Sequence, residues 1–363
     1  MCWKSFLRKS RTIRAAPLDV HRLGAYLLPG RGDDPRPALE QARAAEELGF
    51  RSVWLSERWA SKEVGSLCGA LSQVTTSARI AVGATHLTTR HPVTLAGLAT
   101  TMQMLSDGRF VLGVVRGAGM LSAAGIPIPS TEAIKDYATI LRRLWAGETV
   151  SYNGPAGNYD RLRLPDAVDG KEVPLILAAM GPRTLALAGS DFDGVLLAPC
   201  LTLEGVRRSA EIVRNAAADA GRDPARVEIV ATLIVAPDRP QAEQEAIIGG
   251  RVAGYLQDPT IARNLSALNR WDPALFEPLQ QHPMFSGPGT AAEAFRRPDL
   301  VEVSRLIPRE ILDGVSAAGA ATECARTVRD FLATSIDELV IHGATPDQCV
   351  ELVRHVSEFE EDD

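Results

Sequence analysis

Apolar residues fall into short continuous runs of four to nine, and most runs are followed by a stretch where apolar positions recur every three or four residues. The runs predict eight strands, at Leu23–Leu28, Arg51–Ser56, Ile80–Thr85, Phe110–Val115, Pro174–Ala179, Gly194–Leu197, Val227–Val235 and Glu338–Ile341. The periodic stretches predict helices at Pro37–Leu48, Lys62–Thr76, Pro92–Leu105, Ile134–Trp145, Pro182–Ala188, Leu203–Ala220 and Asp347–Phe359. Proline near the first turn and glycine past the last support several of these boundaries. A strand with no polar alternation is buried on both faces, as in a parallel sheet. Strand–helix alternation then implies right-handed crossovers. Eight such units predict a (β/α)8 TIM barrel, not a doubly wound sheet.

Two segments fall outside this rhythm. Residues 1–21 carry Lys4, Arg8, Lys9, Arg11 and Arg14 and no apolar stretch of signal-peptide length. They read as a disordered basic tail, with a surface-binding arm as the alternative. Residues 238–335 read as a mostly helical insertion between strands seven and eight, broken at Gly287-Pro288-Gly289. The insertion would be a lid over one barrel domain spanning residues 22–363.

Composition narrows the function. The chain has 363 residues, 45% apolar and 23% charged, enough to build a core without disulfides or metal. A net charge of -6 gives no broad basic surface for nucleic acid. No apolar run approaches the ~20 residues of a membrane span. Five widely spaced cysteines with no CxxC fit reduced thiols in a cytoplasmic protein, with neither a disulfide framework nor a zinc site. No HExxH, GxSxG or P-loop occurs. Gly117-Ala118-Gly119 is not a dinucleotide fingerprint, because the next glycine is Gly125 and Pro127 and Pro129 interrupt the expected helix.

In a TIM barrel the chemistry sits where strands end and loops begin. At those points the chain carries Ser56-Glu57-Arg58, Gly83-Ala84-Thr85-His86, Arg116-Gly117 with Gly119, Met180-Gly181-Pro182-Arg183, and His342. Trp54 reads as core and Trp59 as a pocket wall. His91 before Pro92 reads as a helix cap. Trp271, Phe276, His282 and Phe285 would either line a lid or form the insertion's own core.

Across Leu23–Val235 and the last strand–helix pair, the chain resembles the luciferase-like flavin and deazaflavin oxidoreductases. The resemblance is strongest in IAVGATHLTTRHPVTLAGLATTMQMLSDGRFVLGVVRGAG (residues 80–119). It extends to LGAYLLPG, to PRPALEQARAAEELGFRSVWLSERW and to LILAAMGPRTLALAGSDFDGVLL. SERW (56–59) and GPRTLALAG (181–189) are most similar to an actinobacterial branch taken to use coenzyme F420.

The resemblance implies a deazaflavin or flavin ring over the C-terminal strand ends. Gly83-Ala84 aligns with a non-prolyl cis peptide that backs the ring. Glu57 would hydrogen-bond the ring's polar edge or act as general acid or base. Deazaflavin relatives have histidine where this chain has Arg58, which cannot deprotonate but can orient an anion. His86 is then the candidate proton shuttle and Thr85 a partner for the ring's pyrimidine end. Arg116, Gly117 and Gly119, or the helix start at Met180, Gly181, Pro182 and Arg183, would hold a ribityl phosphate. The implied activity is hydride transfer between coenzyme F420 and a small organic substrate. The alternatives are an FMN-dependent monooxygenase and a non-catalytic cofactor-binding barrel. A homodimer is also implied, and no metal is.

Overall fold

In a computed structural model, residues 20–29, 34–59, 61–165, 173–287 and 294–358 are described. The basic tail up to residue 19, Pro288-Gly289 and the predicted helix end at Phe359 lie outside them. The chain begins with β1 (Leu23–Tyr26), α1 (Pro37–Glu47), β2 (Ser52–Leu55), α2 (Val64–Ser72) and β3 (Arg79–Val82). It continues with β4 (Thr85–His86), α3 (Pro92–Leu105), β5 (Phe110–Val115), α4 (Ala118–Ala123) and α5 (Thr131–Trp145). A hairpin of β6 (Val150–Gly154) and β7 (Gly157–Leu162) follows, then β8 (Leu175–Ala179), α6 (Pro182–Asp191), β9 (Gly194–Leu197) and α7 (Leu203–Asp219). After β10 (Glu228–Pro237) come α8 (Gln241–Leu256) and α9 (Pro259–Asn269), several short helical turns, β11 (Ser316–Gly319), a helix at Ala321–Leu332, and β12 (Glu338–Gly343). The helix Val350–Glu358 ends the described chain.

The eight predicted strands are all present and all parallel. They pair in the order β12, β1, β2, β3, β5, β8, β9, β10, and β10 pairs again with β12, which closes the barrel. One residue from each strand turns inward to form a separate cluster: Tyr26, Trp54, Ala81, Val111, Ile176, Leu196, Val230 and Val340. The remaining apolar strand residues face outward onto the helices in a much larger core. Both faces are thereby dry, which is why the strands carry no polar alternation.

The bottom of the barrel is sealed by polar side chains at strand starts. Glu338 is fully buried; it accepts from Ser52 Oγ and from Trp54 Nε1 at 2.7 Å. Arg79 Nη1 stands 3.7 Å from the Glu338 carboxylate and pairs with Glu228 at 2.6 Å. Trp54 is thus core, with its one polar atom satisfied.

Three features differ from the sequence expectation. The β6–β7 hairpin is new; its residues are mostly exposed or half-buried, so no apolar run marks it. The 238–335 segment is mostly helical, as expected, but it also holds β11, a short parallel strand beside β10. The helix Ala321–Leu332 packs on β10 and β12 as a barrel helix, so the inserted part ends before β11. Among the described residues no helix is long and apolar enough to cross a membrane, and no cluster of three metal-ligating side chains occurs.

Trp54 is completely buried. Trp54→Ala should therefore lower unfolding stability by about 3–5 kcal/mol, as for other large core truncations. Urea denaturation measures this; a loss below about 1 kcal/mol would show that the interior repacks.

Candidate active site

At the upper end of β2 the chain turns through Ser56, Glu57 and Arg58. Arg58 N–H donates to Lys62 O at 3.0 Å and Lys62 N–H to Arg58 O at 2.7 Å, which closes a small backbone loop. Above β3 the Gly83-Ala84 peptide is cis, as expected from the sequence. Past it, β4 pairs in parallel with β5. Gly83 N–H donates to Leu55 O at 2.7 Å, and Tyr26 Oη donates to Gly83 O at 2.5 Å. A Cβ on Gly83 would sit 2.7 Å from Tyr26 Oη and 2.8 Å from Trp54 Cε3, so only glycine fits this bulge.

Glu57 is buried at the centre of this arrangement. Arg90 grips its carboxylate with two nitrogens, at 2.5 Å and 3.0 Å. Thr85 Oγ1 donates to the same carboxylate and accepts from Arg90 at 2.7 Å. Arg90 also reaches Glu63 at 2.6 Å, and its carbonyl accepts from Tyr137 Oη. Glu63 in turn caps α2 by accepting from Ser66 N at 2.7 Å. A buried carboxylate needs a charged, bidentate partner, and Arg90 supplies it.

His86 is buried beside this network, its Nδ1 4.0 Å from Glu57 and without a hydrogen-bond partner. Burial and, less strongly, nearby Arg90 lower its pKa against the opposing pull of Glu57. The ring is therefore a neutral imidazole at neutral pH. Gly117 makes room for it: Gly117 has φ +69°, and a Cβ there would lie 1.9 Å from His86 Cδ2. The Trp59 ring meets the His86 ring edge-on at 5.7 Å.

These groups open onto a cleft with about 1040 Å³ of empty space, counted out to solvent. Ser56, Glu57, Arg58, Gly83, Ala84, His86, Met180 and His342 line it, among the residues singled out from sequence. Thr85 lies beneath, tied to Glu57. Arg116, Gly117, Gly119, Gly181, Pro182 and Arg183 are not in the wall; they adjoin lining residues Val115, Met120 and Met180. Arg116 Nη2 donates to Thr131 Oγ1 at 2.8 Å, and Gly181 N–H to Thr184 Oγ1 at 3.2 Å. His91 caps α3, accepting from Val93 N–H at 3.4 Å.

The sequence reading missed Arg90, Tyr26, Arg251 and Tyr255. Arg90 had one available signal, since a buried Glu57 demands a cation. The insertion reaches the cleft through Arg251 and Tyr255. Trp271 packs on fully buried Phe276 at 5.8 Å, and Phe285 packs on Phe295 at 6.0 Å. Those aromatics pack into the same large apolar core that the barrel strands and helices share, and do not line the cleft.

A family model described as luciferase-like monooxygenase matches residues 17–359. The chain is 28% identical over 210 residues to a 5,10-methylenetetrahydromethanopterin reductase of Methanolobus tindarius, covering 56% of this chain and 63% of that protein. It thus spans less than two thirds of that relative. It is 25% identical over 349 residues to an F420-dependent glucose-6-phosphate dehydrogenase of Amycolatopsis mediterranei, covering 90% of this chain and 93% of that one. In fold it is similar to the coenzyme F420-dependent tetrahydromethanopterin reductase of Methanopyrus kandleri, with TM-score 0.74, 20% identity and coverage of 92% and 96%.

Removing Arg90 strands a buried carboxylate. Arg90→Ala should cost about 3–5 kcal/mol, and adding Glu57→Gln should recover a substantial part of it. Denaturant titration of the single and double variants checks this; purely additive losses would contradict the coupling.

Proposed function

The chain belongs to the luciferase-like monooxygenase family, and from that premise we propose that it is a coenzyme F420-dependent oxidoreductase. It would move a hydride between the deazaflavin and a small organic substrate. The observation that carries this reading is the buried Glu57–Arg90–Thr85 cluster beside neutral His86, at the mouth of the barrel. Relatives whose names state F420 dependence, one matched over nine-tenths of both chains, support the choice of cofactor.

The residues present fit such a group. The cleft is backed by a glycine bulge and has apolar walls at Ala178, Ala179, Leu196 and Leu197. Two buried imidazole nitrogens, His86 Nδ1 and His342 Nδ1, belong to cleft-lining residues and lack protein partners. A planar ring with polar edges would satisfy them. Arg116 and the α6 start at Gly181–Arg183 would hold its phosphate. A bound deazaflavin would supply the hydride chemistry, and the barrel would shield it from water.

The protein's part is proton handling and positioning. Neutral His86 can take or give a proton at Nδ1. Glu57, held by Arg90, fixes the electrostatics on one side of that ring. Arg58 stays charged and orients anions. The fuller reading includes a cytoplasmic homodimer.

Fluorescence titration of the purified protein with F420 and with FMN tests the cofactor; tight FMN binding with none for F420 would overturn the proposal. Arg116→Ala should weaken F420 binding by about 1–3 kcal/mol. Glu57→Gln should lower turnover by about 10²–10⁴-fold with little effect on F420 affinity. His86 titrates below its ordinary 6.5. Its neutral form is therefore lost only in acid, so turnover should hold through neutral pH and fall off further into acid than an ordinary histidine would make it. In His86→Gln that acid limb should disappear; an unchanged limb would assign it elsewhere.

A further inference from the structure

Among the described residues that line the cleft there are two imidazoles, His86 and His342, and one carboxylate, Glu57. The carboxylate belongs to one imidazole only. Glu57 lies 4.0 Å from His86 Nδ1. His342 stands near the end of β12, on the other side of β1 from the strand that leads to Glu57.

The packing of the barrel interior places His342. Val230 on β10 and Val340 on β12 point into that interior. Side chains alternate along a strand, so Thr232 and His342, two residues further on, face the same way and form the next layer up. Both are buried and line the cleft. Ala178 and Ala198 hold the matching places on β8 and β9, which leaves this layer open above the filled interior.

Packing accounts for the ring of His342 but not for its nitrogens. The Tyr26 ring meets it edge-on at 4.9 Å, a contact that a phenyl ring would make equally well. His342 Nδ1 is buried without a hydrogen-bond partner. A buried polar atom in that state destabilises the protein unless a ligand or water completes it. The cleft that His342 lines is where such a ligand would stand.

The charges around each ring set the form in which it acts. Burial, then Arg251 and Arg297 from the insertion, hold the His342 pKa well below its ordinary 6.5; Lys62, which has partners of its own, adds less. All three are cations, so an imidazolium at this place would face like charge. At His86 the Glu57 carboxylate opposes burial and Arg90, and a protonated ring would have a counter-charge. Two like groups whose surroundings differ in this way take different roles.

His342 is also remote from the expected phosphate contacts. Counted from β1, β12 is the eighth strand of the ring, whereas Arg116 and Gly181–Arg183 follow β5 and β8, the fourth and fifth. A bond at His342 is therefore a second point of attachment, across the barrel mouth from the first.

We propose that the two imidazoles divide the work: His342 hydrogen-bonds the polar edge of the bound cofactor's ring through its unpaired nitrogen and exchanges no proton, which leaves proton transfer to His86. The identity of that ring rests on the oxidoreductase reading; the unpaired nitrogen does not.

Titration of the full chain with F420, followed by fluorescence and absorption, separates hydrogen bonding from shape. His342→Phe keeps the packing on Tyr26 and removes both nitrogens. It should weaken F420 binding about tenfold and move the absorption of the bound cofactor toward that of the free one. His342→Gln keeps a donor and an acceptor; it should stay within about threefold of wild type and retain the wild-type absorption. Wild-type affinity and absorption in His342→Phe would overturn the proposal. So would equal weakening in both variants, because shape alone would then matter. Should His342→Phe fail to fold, His342→Leu against His342→Asn makes the same comparison. The division of work is read from the pH profile. His342→Gln should keep the acid limb of turnover that His86→Gln loses, and loss of that limb in His342→Gln overturns the division. If F420 fails to bind but FMN binds with the same difference between His342→Phe and His342→Gln, the role of His342 stands and the F420 reading falls. If wild type binds neither, both fall.

Discussion

Closure of eight parallel strands into a ring sets the terms for everything else in this molecule. A closed eight-stranded barrel has an interior just wide enough for side chains to fill. Here two of the eight inner positions hold Tyr26 and Trp54, which is a large share of that volume. Neighbouring positions must then be small. A Cβ on Gly24 would lie 2.6 Å from Ser52 Oγ and 3.0 Å from Trp54 Nε1, and one on Gly113 would lie 1.8 Å from Val82 O. The same crowding fixes Gly83, where a Cβ would meet Tyr26 Oη and Trp54 Cε3. One wall of the candidate site, at Gly83, is thus tied to how the barrel interior is filled.

The two ends of the barrel each bury a glutamate, and the contrast separates scaffold from site. At the bottom, burial raises the pKa of Glu338 despite help from Ser52 and attraction to Arg79 and Arg51. Its hydrogen bonds go to neighbouring strands, and its remaining oxygen, Oε2, has no hydrogen-bond partner. Such a group stitches strands together and faces no cleft. At the top, Glu57 is gripped by Arg90 from the loop before α3 and faces the cleft. Arg90 is itself held through Glu63 and Tyr137, so residues from two loops, β4 and α5 fix one carboxylate. A carboxylate so constrained offers a fixed charge at a defined place, which is what electrostatic preorganisation requires.

Much of this was legible in the sequence. Continuous apolar runs gave away strands buried on both faces, and the Gly83-Ala84 pair and Glu57 stood where strand ends must carry chemistry. What escaped notice has physical reasons. The β6–β7 hairpin lies on the surface, so neither face imposes a strong apolar pattern. Ser316–Gly319 is too small in its side chains to signal a strand. Arg90, Arg251 and Arg297 are three of 34 arginines, and nothing local sets them apart. They matter because the fold brings Arg90 to a carboxylate 33 positions earlier, and the insertion to a loop nearly 200 positions earlier.

Net charge shows the same limit in sharper form. The chain carries -6 overall, which argues against a broad basic surface. Yet the cleft gathers Arg58, Arg251 and, behind them, Lys62 and Arg297, where burial amplifies each charge. Net charge governs encounters at distances beyond the ~8–10 Å screening length of salt water. Local charge acts inside that length, so a chain of negative net charge can still present cations to one cleft. Part of the positive charge at the cleft comes from the inserted segment, through Arg251, and part from the loop after β2, through Arg58, so it is set by how the fold brings distant segments together and not by the chain's net charge.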